Sequence, residues 1–254
     1  MADPVAYWTC VAVAAVLCAC ACVAARRRPG RWTAAARYAI AVVLGAVAVT
    51  FVARPIVAGD WTARSSLPIA LCDAALFIAA LACVRPDLRL AVELTWFWGL
   101  AGTLQAVTTP DLSVVFPHLE FWDFVLGHVG IVFAALFLVV GLRRYPRRGA
   151  VVRIFAMTVA YTAFVGCVDA ATGGNYMFLR AIPSHVSLLS VLGPWPWYLV
   201  SAAAVALVLF TLLDAPFRHS DGAPAARAPS ARAEPATATS RRSRPPERSL
   251  GRSG

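Results

Sequence analysis

Seven long apolar runs, with arginine gathered in alternate gaps between them, constrain this chain more than any other feature. The runs cover about Val5–Ala25, Tyr38–Ala53, Leu67–Val84, Leu90–Val107, Phe121–Leu142, Val151–Ala171 and Trp197–Leu213. A bilayer core of about 30 Å takes roughly 20 apolar residues per helix. A backbone crossing it must satisfy its own hydrogen bonds, which points to helices. Composition agrees: 60% of the chain is hydrophobic and 14% is charged. Soluble domains carry about 25% charged residues, and so much apolar surface excludes disorder over most of the length. The expected fold class is all-α, a polytopic membrane protein with seven transmembrane helices.

Arginine supplies the orientation. All 23 basic residues are Arg, and 20 of them fall on one side of a seven-span arrangement. Positive residues stay cytoplasmic, which predicts the N-terminus outside and the C-terminus in the cytoplasm of a multi-pass cell-membrane protein. Only Arg54, Arg64 and Arg180 belong to the opposite side. The first apolar run has no basic segment before it and reads as an anchor, not a cleaved leader. The absence of Lys excludes a retinal Schiff base, a pyridoxal phosphate lysine and a P-loop lysine. No cofactor is expected. The expected domains are a seven-helix unit over residues 1–213 and a disordered Arg-, Pro-, Ala- and Ser-rich cytoplasmic tail over 214–254, which cannot bury a core. The net charge of +10 is split among loops and forms no single face, so nucleic acid is not an expected partner. Membrane lipids are, and protein partners stay open.

Ionisable groups inside a bilayer are costly and mark candidate sites. Cys72 and Asp73 fall in the third run, Glu93 and Gln105 in the fourth, Asp123 and His128 in the fifth, and Asp169 in the sixth. If the third run starts as a helix near Leu67, capped by Ser65 or Ser66, Cys72 lies about 8 Å below the outer edge. His128 lies about 10 Å below the same edge. A thiol needs a base or an imidazolium partner to act as a nucleophile, and His128 fits that role at matched depth. Asp123 is about 140° round the helix from His128 and is a poor orienter for it. Asp73, Gln105, Asp111 and Glu120 are open candidates. An ionised Asp73 beside Cys72 would oppose the thiolate, so a bond from Asp73 to another helix is expected. Gln105 or Asn175 would support an oxyanion.

Two other chemistries compete. His118, His128 and His185 with Asp111 or Glu120 could hold Zn²⁺, although the spacing is loose and the preferred reading assigns no metal. Glu93, Asp73 and Asp169 could line the path of a carrier, but no repeat of the two halves is visible. Taken alone, an isolated membrane Cys or His is more often a packing or hydrogen-bonding residue than a catalyst.

Several segments carry a resemblance. They are Leu67-Pro68-Ile69-Ala70-Leu71-Cys72-Asp73, Phe97-Trp98-Gly99-Leu100-Ala101-Gly102-Thr103-Leu104-Gln105-Ala106, Thr109-Pro110-Asp111, Phe116-Pro117-His118, Gly127-His128-Val129-Gly130, Gly174-Asn175-Tyr176-Met177 and Gly193-Pro194-Trp195-Pro196-Trp197-Tyr198. Together they resemble the YwaF-like integral membrane family of bacteria, which includes the vertebrate transmembrane protein 164. The resemblance covers about 170 residues, from the second run to the seventh. It implies a seven-helix membrane protein, and a phospholipid acyltransferase with a Cys nucleophile at Cys72 and a His at His128. An acyl hydrolase is the expected variant where water accepts the acyl group. Many bacterial members carry His two positions before that Cys, where this chain has Ala70.

Overall fold

The computed structural model describes residues 4–110, 116–182 and 188–218, and every regular element among them is helical. Helix α1 spans Pro4–Arg27, α2 Arg31–Ala58 and α3 Leu71–Val84. Helix α4 (Arg89–Trp98) runs through a π-helical turn, Gly99–Thr103, into α5 (Leu104–Thr108), so the three make one rod. Helix α6 (Leu119–Leu136) ends in a second π turn, Phe137–Gly141. Helices α7 (Ala150–Thr172) and α8 (Trp197–Arg218) complete seven rods among the described residues.

Hydrogen bonds fix which rod ends meet. At one end Arg37 Nη1 donates to Cys83 O (2.6 Å), joining the start of α2 to the end of α3. Arg26 donates to the Tyr145 hydroxyl (3.1 Å), and Trp96 Nε1 donates to Leu213 O (3.3 Å). At the opposite end Tyr7 donates to Val107 O (2.7 Å), and Tyr198 donates to Phe178 O. Successive rods therefore run in opposite directions, and the arginine-rich gaps share one end.

Five rods are long and apolar enough to cross a membrane: Pro4–Arg27, Arg31–Ala58, Leu119–Gly141, Ala150–Thr172 and Trp197–Arg218. Helix α3 is apolar but has only 14 residues. The outer surfaces of the long helices carry large apolar side chains, among them Val5, Val16, Val57, Val152, Val200 and Leu212. Water would not tolerate such a surface, whereas lipid does. Inside, α3 presents the small residues Ala75, Ala79 and Ala82 to its neighbours, all fully buried. Small side chains let helix backbones approach closely, which is how helices associate without a hydrophobic driving force.

Three expected boundaries move. The second run becomes a 28-residue helix, because its flanks at Arg31–Arg37 and Arg54–Ala58 stay helical around the apolar middle. The third run becomes helical at Leu71, not Leu67. Pro68 lacks an amide proton and biases the residue before it toward extended backbone, and Ala70 is itself extended (φ −62°, ψ 157°). The last helix continues through Arg218, held by the one-turn Arg218–Asp214 ion pair, so the first residues assigned to the tail are helical. Residues 219–254 lie outside the described residues.

Candidate functional site

Helix α3 begins in an unexpected way. Ser65 and Ser66 bond with Thr62 inside their own turn and do not cap the helix. The carboxylate of Asp73 turns back instead, and Ala70 N–H donates to its Oδ2 (3.0 Å). Asp73 thus spends an oxygen on the start of its own helix, not on another helix as expected. Because α3 starts at Leu71, Cys72 occupies its first turn and does not lie about 8 Å down a helix begun at Leu67. The first amide protons of a helix have no carbonyl partner within it, and they carry the positive end of the helix dipole.

The segment leading into α3 is tied down from α7 and the chain after it. Leu67 N–H donates to the Tyr176 hydroxyl (2.9 Å), which in turn donates to Ala63 O (3.1 Å). Tyr161 donates to Ile69 O (2.8 Å). Tyr176 N–H donates to Oδ1 of the buried Asp169 (2.9 Å). Gly174 is required in this corner, because a Cβ there would lie 3.0 Å from both Arg64 O and Asp169 Oδ1.

His128 is placed by the packing of α6 on α2. A Cβ at Gly130 would come within 2.8 Å of Leu44, and one at Gly127 within 3.3 Å of Val47, so the two glycines let α2 press close on either side of His128. The imidazole stacks on Phe124, with ring centroids 4.2 Å apart. Its Nδ1 lies 2.9 Å from Phe124 O. A carbonyl oxygen only accepts, so Nδ1 carries the proton, and Nε2 of the neutral ring keeps a lone pair.

These elements enclose a cavity of about 210 Å³ lined by Cys72, Asp73, Glu120, Asp123 and His128 together with Arg54. Thr103, at the end of the first π turn, donates its hydroxyl to Cys72 Sγ at 3.9 Å. π turns of this kind often sit at functional sites. Arg54 reaches across the cavity mouth. Its Nη1 pairs with Asp123 Oδ2 (3.2 Å) and its Nη2 with Glu120. Thr50 donates to the second oxygen of Asp123 (2.9 Å).

Other candidates fall elsewhere. Gln105 Nε2 donates to Ala101 O of its own rod (2.8 Å), and Asn175 is bound to Arg180 and Ala181 in an exposed turn. Neither lines the cavity that holds Cys72. His118 is exposed at the start of α6. Asp111 and His185 lie outside the described residues. Among the described residues no three His, Cys, Asp or Glu side chains are grouped to hold a metal ion. Glu93, Asp73 and Asp169 sit in three separate places and line no common space: Glu93 is clamped at the arginine-rich end, and Asp169 is buried under Tyr176. Sequence reading missed three contributors, Arg54, Thr50 and Thr103. Arg54 had a signal, as one of few arginines off the basic side. The two threonines had none, because an isolated Thr in an apolar run is ordinary.

The sequence matches the TMEM164 family over residues 3–214, which spans all seven rods and both walls of the cavity. The chain belongs to the TMEM164 family. No curated protein and no solved structure matches it. Membership agrees with the resemblance carried by the Cys72 and His128 segments and with a membrane protein of several helices.

Proposed function

We propose that this TMEM164 family member is a lipid acyltransferase or acyl hydrolase that works through Cys72 and His128. The observation that carries the reading is the convergence of three features on one cavity. They are a thiol in the first turn of a helix, an imidazole with a free Nε2, and a position at the end of the bundle opposite the arginine-rich gaps. In this reading the chain crosses the cell membrane seven times with its N-terminus outside, α3 being a short crossing. The cavity then faces the outer leaflet.

The chemistry follows from the residues. Cys72 Sγ attacks the carbonyl carbon of a lipid ester as His128 Nε2 takes the thiol proton. Negative charge gathers on the carbonyl oxygen, and the unpaired amides at the start of α3 stabilise it in place of a side-chain amide. The C–O bond breaks, the alcohol leaves with the proton from His128, and an acyl thioester remains on Cys72. A lysolipid hydroxyl or water then attacks the thioester. His128 takes its proton and returns it to the departing sulfur.

The test is intact-mass spectrometry of purified protein after incubation with a phospholipid mixture, beside Cys72→Ala. A hydroxylamine-sensitive acyl increment on the wild type alone is the expected result. Lipid turnover that survives in both Cys72→Ala and His128→Ala would sink the mechanism.

A further inference from the structure

Two spaces meet at the end of α2. One is the 210 Å³ cavity at Cys72. The other is an open groove of about 710 Å³ along the last turns of α2 and the segment that follows, bordered by Asp60, Ser65 and Ser66. Phe51, Arg54 and Glu120 line both. Ligand sites run to about 300–1,000 Å³, so the inner cavity alone is too small for a lipid. The shared residues make the groove the polar continuation of the cavity, where a lipid whose ester reaches Cys72 can place its head group.

Among the described residues Arg54 is the one arginine lining either space. Its two arms are held unequally. The Asp123 side chain is 15% exposed and lies 2.9 Å from the Thr50 hydroxyl, whose one proton it shares with Val47 O, so that arm is the better anchored of the two. The Glu120 side chain is 48% exposed, and an ion pair so open to water is easily exchanged. A guanidinium anchored on one side and exchangeable on the other can offer its fork to a phosphate, the anion whose geometry it matches best. Ser65 and Ser66 add two hydroxyls to the groove wall; Ser66 Oγ accepts Thr62 N–H at 3.2 Å and lies 3.5 Å from Ser65 Oγ. Asp60 and Glu120 would otherwise repel an anion, so tolerance of one depends on Arg54.

We propose that the groove is the head-group subsite of this protein. Arg54 recognises the phosphate of the bound lipid there, exchanging Glu120 for it while Asp123 and Thr50 hold the side chain in place. The inference rests on the acyl-transfer reading and adds to it the residue that selects phosphate-bearing lipids over neutral ones.

The experiment compares phosphatidylglycerol with a diacylglycerol of the same chains, both in detergent micelles, as acyl donors. Arg54→Gln should lower kcat/KM for phosphatidylglycerol at least about tenfold, chiefly through KM, as expected for a lost charged hydrogen bond. Diacylglycerol should change less than about twofold, and Arg54→Lys should restore part of the loss, as uniform-binding contacts do. Glu120→Gln, which frees the guanidinium, should raise the preference for phosphatidylglycerol. Equal losses on both lipids, or none on either, would overturn the assignment.

A second readout does not depend on turnover. Cys72 labelling by a sulfonate-bearing thiosulfonate should outpace labelling by its neutral analogue in the wild type and lose that advantage in Arg54→Gln. An unchanged ratio overturns the anion site. Selective labelling without turnover of either lipid would instead leave the anion site standing and remove the acyl-transfer reading. Protection of Cys72 by millimolar inorganic phosphate, with no lipid preference, would overturn the head-group assignment in favour of a soluble phosphate.

Discussion

Glu93 and Cys72 are both polar groups set among apolar helices, and the structure treats them in opposite ways. Glu93, 2% exposed at the arginine-rich end, is saturated. Arg147 donates to it from its backbone (3.0 Å), from Nε (2.9 Å) and from Nη2 (3.0 Å), and Arg153 adds Nε and Nη2. In return the carboxylate holds the Arg147 guanidinium above its ordinary pKa. The cluster extends further, since Arg218 donates to Arg147 O (2.8 Å) and pairs with Asp214. One carboxylate thus ties together the starts of α4 and α7 and the end of α8. Cys72 receives a single long contact from Thr103, and His128 keeps a nitrogen free. A buried polar group with every hydrogen bond made is a structural tie, whereas one with valence left over can do chemistry.

The comparison can be broken by substitution, and the largest effect should fall on activity. Cys72→Ala is expected to reduce acyl transfer by at least about 10³-fold, with a stability change within about 1 kcal/mol. Turnover assays paired with thermal unfolding in detergent would check both. A large loss of stability would make Cys72 a packing residue after all.

Glu93→Gln should do the reverse. Breaking a buried ion pair costs about 3–5 kcal/mol, and the half-exposed Arg147 can recover some hydration, which places the loss near the lower bound. Thermal unfolding should fall by several degrees, while the Cys72 labelling rate at temperatures where the protein stays folded remains that of the wild type. Changed labelling at Cys72 would show that the two ends are coupled.

Tyr176→Phe lies between these extremes. It strips the Leu67 amide of its acceptor ahead of α3, at a cost of about 1 kcal/mol, and should slow acyl transfer several-fold by loosening the first turn that carries Cys72. Kinetics and unfolding on the same preparation would separate the two effects. Asp87→Asn should be the smallest. The neighbouring Arg85 holds the Asp87 carboxyl below its usual pKa, yet both side chains stand in solvent, and such pairs contribute little. No measurable change in unfolding or turnover is expected.

Much of this arrangement was legible in the chain itself. Apolar runs and arginine gaps give the helices and the alternation of their ends, because hydropathy and charge act on each segment separately. That Cys72 and His128 line one cavity was only suggested by matched depth. The Asp73 contact was misjudged, because a carboxylate expected inside a helix looks like an acceptor for a neighbouring helix until the helix is found to start at Leu71. Asn175 looked available from sequence, but its amide is consumed by the turn that follows it.

What the sequence determined by itself was the all-helical class, the antiparallel order of the rods and the small set of polar residues placed among apolar neighbours. Each of these is written in local composition, where the solvent preference of a segment of about 20 residues decides the outcome. Only the tertiary structure decided which of those residues share a space. Glu93 meets two arginines across 54 and 60 positions of chain, Arg54 meets Asp123 across 69, and Thr103 meets Cys72 across 31. Such meetings depend on which helix faces press together, through the glycines and alanines that permit close approach. No periodicity within one segment carries that information.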